Sequence, residues 1–247
     1  MLIWIIILFS VISNAFFLGF RYARRIENKL DVPRAGKRHL YCLGDGITYG
    51  VGVLNNRRAY AWPYQLESSL GVRWQVINYG LEDAALLDGK NALQSGRTFQ
   101  ALSQVHEPSV LLMIGTNDSK LGIWNERRFE AAFDDFLVRM TEHCQELIVL
   151  LPISVQAPKI PTKTEIRAEI VKQIVQIERS ICQTRQIPFL DLFHLTENHP
   201  DWYANDGIHL NQQGNRKISD WIFEEIQHAG LLKGPEVLRE TEPEVNA

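Results

Sequence analysis

The sequence predicts an α/β fold in which a five-stranded parallel sheet lies between two layers of helices. Three observations support this prediction. Five short apolar runs occur along the chain, apolar residues at helical spacing lie between them, and most runs end at Gly, Asn, Pro or Asp. Short, continuously apolar runs are typical of parallel strands buried on both faces. Their alternation with helices indicates a three-layer α/β/α sandwich, whose ligands bind at the carboxyl ends of the strands.

The individual elements follow from the spacing of apolar residues. Strands are predicted at residues 39–44, 72–78, 109–114, 146–151 and 187–191. The last helix is predicted from Ile218, Ile222 and Ile226, with Gly230 as its stop. Another helix face is predicted from isoleucines that recur at intervals of three or four residues, namely Ile166, Ile170, Ile174, Ile177 and Ile181.

Length and composition indicate a folded domain and exclude several classes of protein. The chain has 247 residues, of which 45% are hydrophobic and 22% charged, so it is neither disordered nor collagen-like. The net charge of −3 does not favour a nucleic-acid partner, and a small-molecule ligand is expected instead. The three cysteines form no Cys-x-x-Cys pair. His194, His199 and His209 match no ligand spacing, so no metal site is predicted.

The first twenty residues are predicted to be a membrane anchor. Residues 2–20 contain no charged side chain and have the length of a helix that crosses a bilayer. A cleaved signal peptide is the alternative, because Ser13-Asn14-Ala15 resembles a cleavage site, but no Lys or Arg precedes the apolar run. The cations that follow predict a single-pass protein whose domain lies on the cytoplasmic side. These cations are Arg21, Arg24, Arg25 and Lys29.

These features divide the chain into four parts. The anchor at residues 1–20 is followed by a basic linker at 21–38 and by one α/β domain at 39–230. Residues 231–247 form a tail that contains four Glu and two Pro, which predicts a flexible, solvated extension. The domain is long enough to bury a substantial core.

Polar, glycine-rich segments follow the first three predicted strands, at residues 44–48, 78–80 and 115–118. A fourth segment, Asp206-Gly207-Ile208-His209, precedes the last helix. The three-residue spacing in a loop lets Asp206 accept a hydrogen bond from Nδ1 of His209 and leaves Nε2 free as a base. This pair is two thirds of a catalytic triad.

The four segments resemble the four sequence blocks of the SGNH (GDSL-type) hydrolases, in the family's order. Residues 43–50 resemble the nucleophile block, 78–80 the glycine block, 115–118 the asparagine block and 206–209 the acid and histidine block. The resemblance implies a flavodoxin-like fold and hydrolysis of a small-molecule ester through an acyl-enzyme, without a cofactor. It also implies roles for four residues: His209 as base, Asp206 as its orienting partner, and Gly80 and Asn117 as oxyanion donors.

The nucleophile position departs from the family pattern. Gly46 stands where Gly-Asp-Ser-x-Thr has its serine, and a glycine has no hydroxyl group that could form an acyl-enzyme. Its backbone N–H remains as a third oxyanion donor. A triad that lacks one member retains only about 10³–10⁴-fold catalysis over water. Asp83 is a smaller departure, because many members have a second glycine there.

Four explanations of Gly46 remain open. Water held by His209 could attack the ester directly, or another hydroxyl group could replace the serine, from Thr48, Ser119 or Ser154. Thr48 is expected to cap a helix instead. Gly46 could also be an engineered or erroneous residue. Finally, the domain could bind an acyl or lipid-derived ligand at the membrane as a non-catalytic pseudoenzyme.

Overall fold

A computed structural model of the chain describes residues 30–87, 92–160 and 165–232. These residues contain the predicted parallel sheet, in the strand order β2-β1-β3-β4-β5 that is found in flavodoxin-like folds. All neighbouring strands pair in parallel. The prediction of an α/β fold with five parallel strands is therefore confirmed. The strands are β1 (Arg38–Gly44), β2 (Trp74–Gly80), β3 (Ser109–Met113), β4 (Glu146–Leu151) and β5 (Phe189–Asp191).

The helices follow the strands in the alternating pattern that the sequence predicts. Short 3₁₀ turns also occur at Val51–Asn56, Leu93–Ser95, Asn117–Ser119 and Pro200–Trp202. The α-helices of the described residues are α1 (Gly46–Tyr49), α2 (Arg57–Tyr60), α3 (Trp62–Leu70), α4 (Arg97–Leu102), α5 (Glu126–His143), α6 (Ala168–Arg185), α7 (Leu192–Thr196) and α8 (Gln212–His228).

One face of the sheet is covered by α3 and α8, which pack against each other. Alternate strand residues such as Cys42, Leu111 and Leu150 form one apolar cluster with Trp62 of α3 and Ile222 of α8. Because successive side chains of a strand point to opposite faces, these strand residues share one face.

The opposite face is covered by α5 and α6, which pack against each other and against β4. Leu43, Leu112 and Val149 alternate with the residues of the first face and are also buried. Phe129 and Phe133 of α5 stack with their ring centroids 5.9 Å apart and are fully buried. The helices on both faces complete a three-layer sandwich.

Helix α6 differs from its predicted apolar face at two positions. The helix begins at Ala168, so Ile166 lies in the preceding loop. Ile177 is only partly buried, whereas its neighbour Glu178 is fully buried. The prediction of the α6 core face was therefore wrong at Ile166 and Ile177, while Ile170, Ile174 and Ile181 are buried as expected.

The predicted membrane anchor at residues 1–20, the first half of the linker and all but two residues of the tail lie outside the described residues. Among the helices that are described, none combines the length and the apolar character needed to cross a membrane. The chain divides into two units between Val32 and Pro33, and the sheet and its helices belong to the second unit. Arg38, assigned to the linker from the sequence, is the first residue of β1.

Candidate active site

A cavity of about 240 Å³ lies at the carboxyl end of the sheet, where β1, β2 and β3 end. This is where ligands bind in doubly wound folds. A larger cavity of about 350 Å³ lies at the amino end of β4, but its lining contains no histidine. The smaller cavity is lined by Asp45, Gly46, Ile47, Val51, Glu82, Asp83, Thr116, Asn117, Lys120, Ile166, Ile208 and His209.

His209 and Asp206 form the pair that their spacing predicts. Nδ1 of His209 lies 2.7 Å from Oδ2 of Asp206. The other carboxylate oxygen, Oδ1, accepts hydrogen bonds from the backbone N–H groups of Ile208 at 2.9 Å and His209 at 3.0 Å. Because both oxygens of Asp206 are bound to its own loop, the imidazole has a defined orientation and leaves Nε2 available.

The hydrogen bonds of Asp206 also keep it ionised. Partial burial raises the pKa of this carboxyl, but the hydrogen bonds from His209 and from the backbone of Ile208 outweigh burial and lower the pKa to about 2. Asp206 is therefore a carboxylate at any pH near neutrality. A carboxylate in this position stabilises the imidazolium that forms when His209 accepts a proton.

Gly46 lies opposite Nε2 of His209. It is the first residue of α1, and Asp45 caps this helix by accepting a hydrogen bond from the backbone N–H of Ile47 at 2.9 Å. The first N–H groups of a helix have no acceptor within the helix. A Cβ atom on Gly46 would lie 3.2 Å from Cγ2 of Val51 and 3.3 Å from Nε2 of His209. A side chain here would therefore point at the imidazole.

Asn117 lies in the 3₁₀ turn after β3 and lines the same cavity. Its Nδ2 group donates a hydrogen bond to the carbonyl oxygen of Ala84 at 3.0 Å. An amide nitrogen has two hydrogens, so the second remains for a bound ligand. The geometry is compatible with the oxyanion role that the resemblance implies for Asn117.

Gly80 does not occupy the position expected of an oxyanion donor. Its backbone N–H donates to Oδ1 of Asn78 at 2.9 Å, and Gly80 is not among the residues that line the cavity. A Cβ atom on Gly80 would lie 2.2 Å from the backbone nitrogen of Tyr49. Glycine is therefore required here for close packing of β2 against α1, and the prediction that Gly80 donates to an oxyanion is corrected.

The alternative hydroxyl groups do not reach the cavity. Ser119 is fully buried and donates to the carbonyl oxygen of Thr116 at 2.7 Å. Ser154 is buried with its hydroxyl 2.9 Å from that of Tyr203. Thr48 is fully buried within α1, whose cap is Asp45 rather than Thr48. None of these three residues lines the cavity.

Several lining residues were not predicted to belong to the site. Asp83 lines the cavity in a left-handed conformation with φ of 60°, at the position where many family members have a second glycine. The one sequence signal for this role was an aspartate at a position where many family members have glycine. Lys120 pairs with Asp83 across 3.0 Å. Val51 and Ile166 contribute apolar surface, and their sequence context contains no signal for this role.

Sequence comparison identifies related enzymes. The model of the GDSL-like lipase/acylhydrolase family matches residues 42–217. An acetylxylan esterase of Xylanibacter ruminicola is 22% identical over 80% of this chain, which spans only 45% of that protein's length. The thioesterase 1/protease 1/lysophospholipase L1 of Escherichia coli is 24% identical over 76% of this chain and 83% of its own length.

Solved structures show the same fold at lower sequence identity. A lipase/acylhydrolase from Enterococcus faecalis has a TM-score of 0.59 at 19% identity and covers 78% of this chain and 96% of its own. The M. smegmatis aryl esterase has a TM-score of 0.60 at 16% identity, with coverages of 77% and 99%. The family model matches well over half of the sequence, and the chain therefore belongs to the GDSL-like lipase/acylhydrolase family.

Proposed function

We propose that the domain binds a carboxylic ester in the cavity beside His209 and hydrolyses it slowly by direct attack of water. One observation carries the proposal: Asp206 holds Nδ1 of His209 at 2.7 Å, and Nε2 faces position 46. An imidazole oriented in this way has the geometry of a general base. Gly46 provides no hydroxyl group, so the attacking oxygen must come from outside the chain.

In the proposed reaction, a water molecule loses a proton to Nε2 of His209 while its oxygen forms a bond to the acyl carbon. The carbonyl oxygen then carries the negative charge of the tetrahedral intermediate. When the intermediate collapses, the bond between the acyl carbon and the alcohol oxygen breaks, and that oxygen takes the proton from His209. The two-step covalent route is absent, so the reaction is expected to be slow.

The negative charge of the intermediate requires hydrogen-bond donors. The proposed donors are the backbone N–H of Gly46, at the start of α1, and the second amide hydrogen of Asn117. The third is the backbone N–H of Asp83 rather than that of Gly80. Two observations support this assignment. Asp83 lines the cavity, and the Gly80 N–H already donates to the side chain of Asn78.

A small acyl group is the proposed specificity. The cavity holds about 240 Å³, and pockets for drug-sized ligands are roughly 300–1,000 Å³. The name of the Xylanibacter relative refers to acetyl esters, although this chain spans less than half of that protein. An acetyl ester is therefore the first substrate to test.

The proposal is tested by measuring hydrolysis of p-nitrophenyl acetate by the full chain and by His209→Ala. The matched control is His106→Ala, because the side chain of His106 is 92% exposed and lies outside the cavity. We expect the parent and His106→Ala to exceed the uncatalysed rate and His209→Ala to fall to it. Equal rates for the parent and His209→Ala would reject the water mechanism.

A second candidate is a non-catalytic domain that binds an acyl ligand. The absence of a nucleophile at Gly46, beside an amide of Asn117 that can still donate, favours it. In that case acetate or a small ester binds, as measured by calorimetry, without turnover. A fluorophosphonate probe should not label the chain under either candidate function, because neither involves a nucleophilic side chain. Labelling would reveal a substitute nucleophile.

We further propose that residues 1–20 anchor the chain in a membrane as a single span, with the domain on the cytoplasmic side. The support is the absence of charged side chains over residues 2–20 and the cations that follow. The full chain should sediment with membranes, and a variant that lacks residues 2–20 should not. Release of the full chain by alkaline carbonate would contradict the anchor, and protease protection would report the side.

A further inference from the structure

Asp83 lines the cavity and begins a segment, residues 83–87, that belongs to no helix or strand of the sheet. We call this segment the 83–87 wall. It contains Asp83, the proposed backbone donor. A non-glycine residue with positive φ needs its surroundings to hold it in place. The contacts that hold this wall come from the turn after β3, which also carries Asn117.

Three side chains of the turn after β3 bind this wall. Nδ2 of Asn117 donates to the carbonyl oxygen of Ala84 at 3.0 Å. Nζ of Lys120 lies 3.0 Å from Oδ1 of Asp83. The third side chain is that of Asp118, which is fully buried.

Asp118 makes the strongest of these connections. Its Oδ1 atom accepts hydrogen bonds from the backbone N–H groups of Leu86 at 2.9 Å and Leu87 at 2.7 Å. Oδ2 also lies 3.0 Å from the Leu86 nitrogen. Both backbone donors depend on this one buried carboxyl group, and removal of a buried acceptor leaves its donors unsatisfied. By contrast, the Asp83 side chain is 66% exposed, so its ion pair with Lys120 contributes little.

We propose that Asp118 is a positioning residue that fixes the 83–87 wall against Asn117 and so keeps the oxyanion side of the cavity in its binding geometry. Asp118 does not line the cavity, so it is placed to act on the wall and not on a bound ligand. It acts through the hydrogen bonds that it accepts from the backbone N–H groups of Leu86 and Leu87. The effect of Asp118 on turnover rests on the proposed function. Its effect on the position of the wall does not.

The direct test is amide hydrogen exchange at Leu86 and Leu87 in the full chain, in Asp118→Asn and in Asp118→Ala. We expect exchange at these two amides to rise by about tenfold or more in Asp118→Ala, with amides of β1 unchanged. Asp118→Asn retains one acceptor oxygen, so its exchange rates at these amides should lie between those of the parent and Asp118→Ala. Asp134→Asn is the control, because it makes the same Asp-to-Asn change in an ion pair with Arg185 outside the cavity.

The functional test uses the same substitutions in a Gly46→Ser background, with active sites counted by a fluorophosphonate probe. We expect Asp118→Ala to lower kcat per active site by about tenfold or more with a smaller change in KM, and Asp118→Asn to recover part of the loss. Complete removal of an oxyanion donor costs roughly 10²–10³-fold.

The two tests separate the positioning role from the proposed function. Unchanged exchange at Leu86 and Leu87 in Asp118→Ala would overturn the positioning role, and so would an equal rise at all amides. Unchanged kcat per active site would overturn its consequence for turnover. The proposed function fails if the parent and His209→Ala hydrolyse the ester at equal rates, and the exchange measurement still decides whether Asp118 holds the wall.

Discussion

A Cβ atom placed on Gly46 would lie 3.3 Å from Nε2 of His209. The contact is slightly tighter than ordinary, but the nearest atoms belong to the side chains of His209 and Val51, which can move by a few tenths of an ångström. The structure therefore retains the space and the base for a nucleophile that the sequence lacks.

Gly46→Ser is expected to create an active esterase. The new hydroxyl group would lie beside His209, whose other nitrogen is held by Asp206. We expect kcat/KM on p-nitrophenyl acetate to rise by about 100-fold or more, because the covalent route becomes available. Gly46→Ala is the control, since it adds the same Cβ without the hydroxyl. Equal rates for the Ser and Ala variants would show that position 46 does not present a nucleophile to His209.

Asp206→Asn should disable that activity. An amide cannot stabilise the imidazolium and holds the wrong tautomer, so kcat in the Gly46→Ser background should fall by roughly 10²–10⁴-fold. Asp201→Asn is a control in the preceding 3₁₀ turn, because its side chain is 60% exposed. Comparable losses in both variants would indicate a general disturbance of the loop.

Glu178→Gln should flatten the dependence of stability on pH. Glu178 is fully buried, and neither of its carboxyl oxygens has a hydrogen-bond partner among the described residues. Burial raises the pKa of Glu178 well above its ordinary value, and the negative charges of Asp118 and Asp45 raise it further. Because the folded-state pKa lies above the unfolded one, the contribution of Glu178 is largest at low pH and is lost as pH rises through the folded value.

The measurement is the free energy of unfolding in urea at pH 5, 7 and 9. The parent should lose more stability than Glu178→Gln between pH 5 and pH 9, since the glutamine never ionises. Asp118, whose pKa burial raises to about 7, contributes in the same direction in both proteins. Parallel curves for the two proteins would refute the prediction.

Ile222→Ala should destabilise the domain by about 2–5 kcal/mol, the usual cost of removing a buried isoleucine side chain. Ile222 is fully buried between α8 and the sheet, in one cluster with Trp62. Val72→Ala is the comparison, because Val72 is 85% exposed and surface substitutions usually change stability by less than about 0.5 kcal/mol. A loss below about 1 kcal/mol for Ile222→Ala would mean that the core closes around the gap.

Elements buried on both faces could be predicted from the sequence because burial imposes a local apolar pattern. The fourth strand was predicted at residues 146–151, and β4 is Glu146–Leu151. The second strand was predicted to begin at Val72, but β2 begins at Trp74. Val72 is exposed in the turn before it, and the strand starts where Trp74 pairs with Arg38. A β-branched residue by itself does not reveal where pairing starts.

Periodicity also misplaced Ile166. It continues the spacing of the α6 isoleucines, yet it lies before the helix and lines the cavity. Spacing alone cannot separate a residue of the helix from one in the preceding loop that happens to be in phase. The path of that loop over the carboxyl end of the sheet depends on packing between distant segments.

The sequence by itself determined the strand and helix alternation, the four family segments, the Asp206 and His209 pair, and the glycine at position 46. Only the tertiary structure decided that Gly80 packs against Tyr49 and donates its N–H to Asn78, while Asp83 lines the cavity. The reason is physical: local patterns record which residues are buried and which turns are allowed. Which backbone group remains free at a site depends on steric fit between segments far apart in the chain.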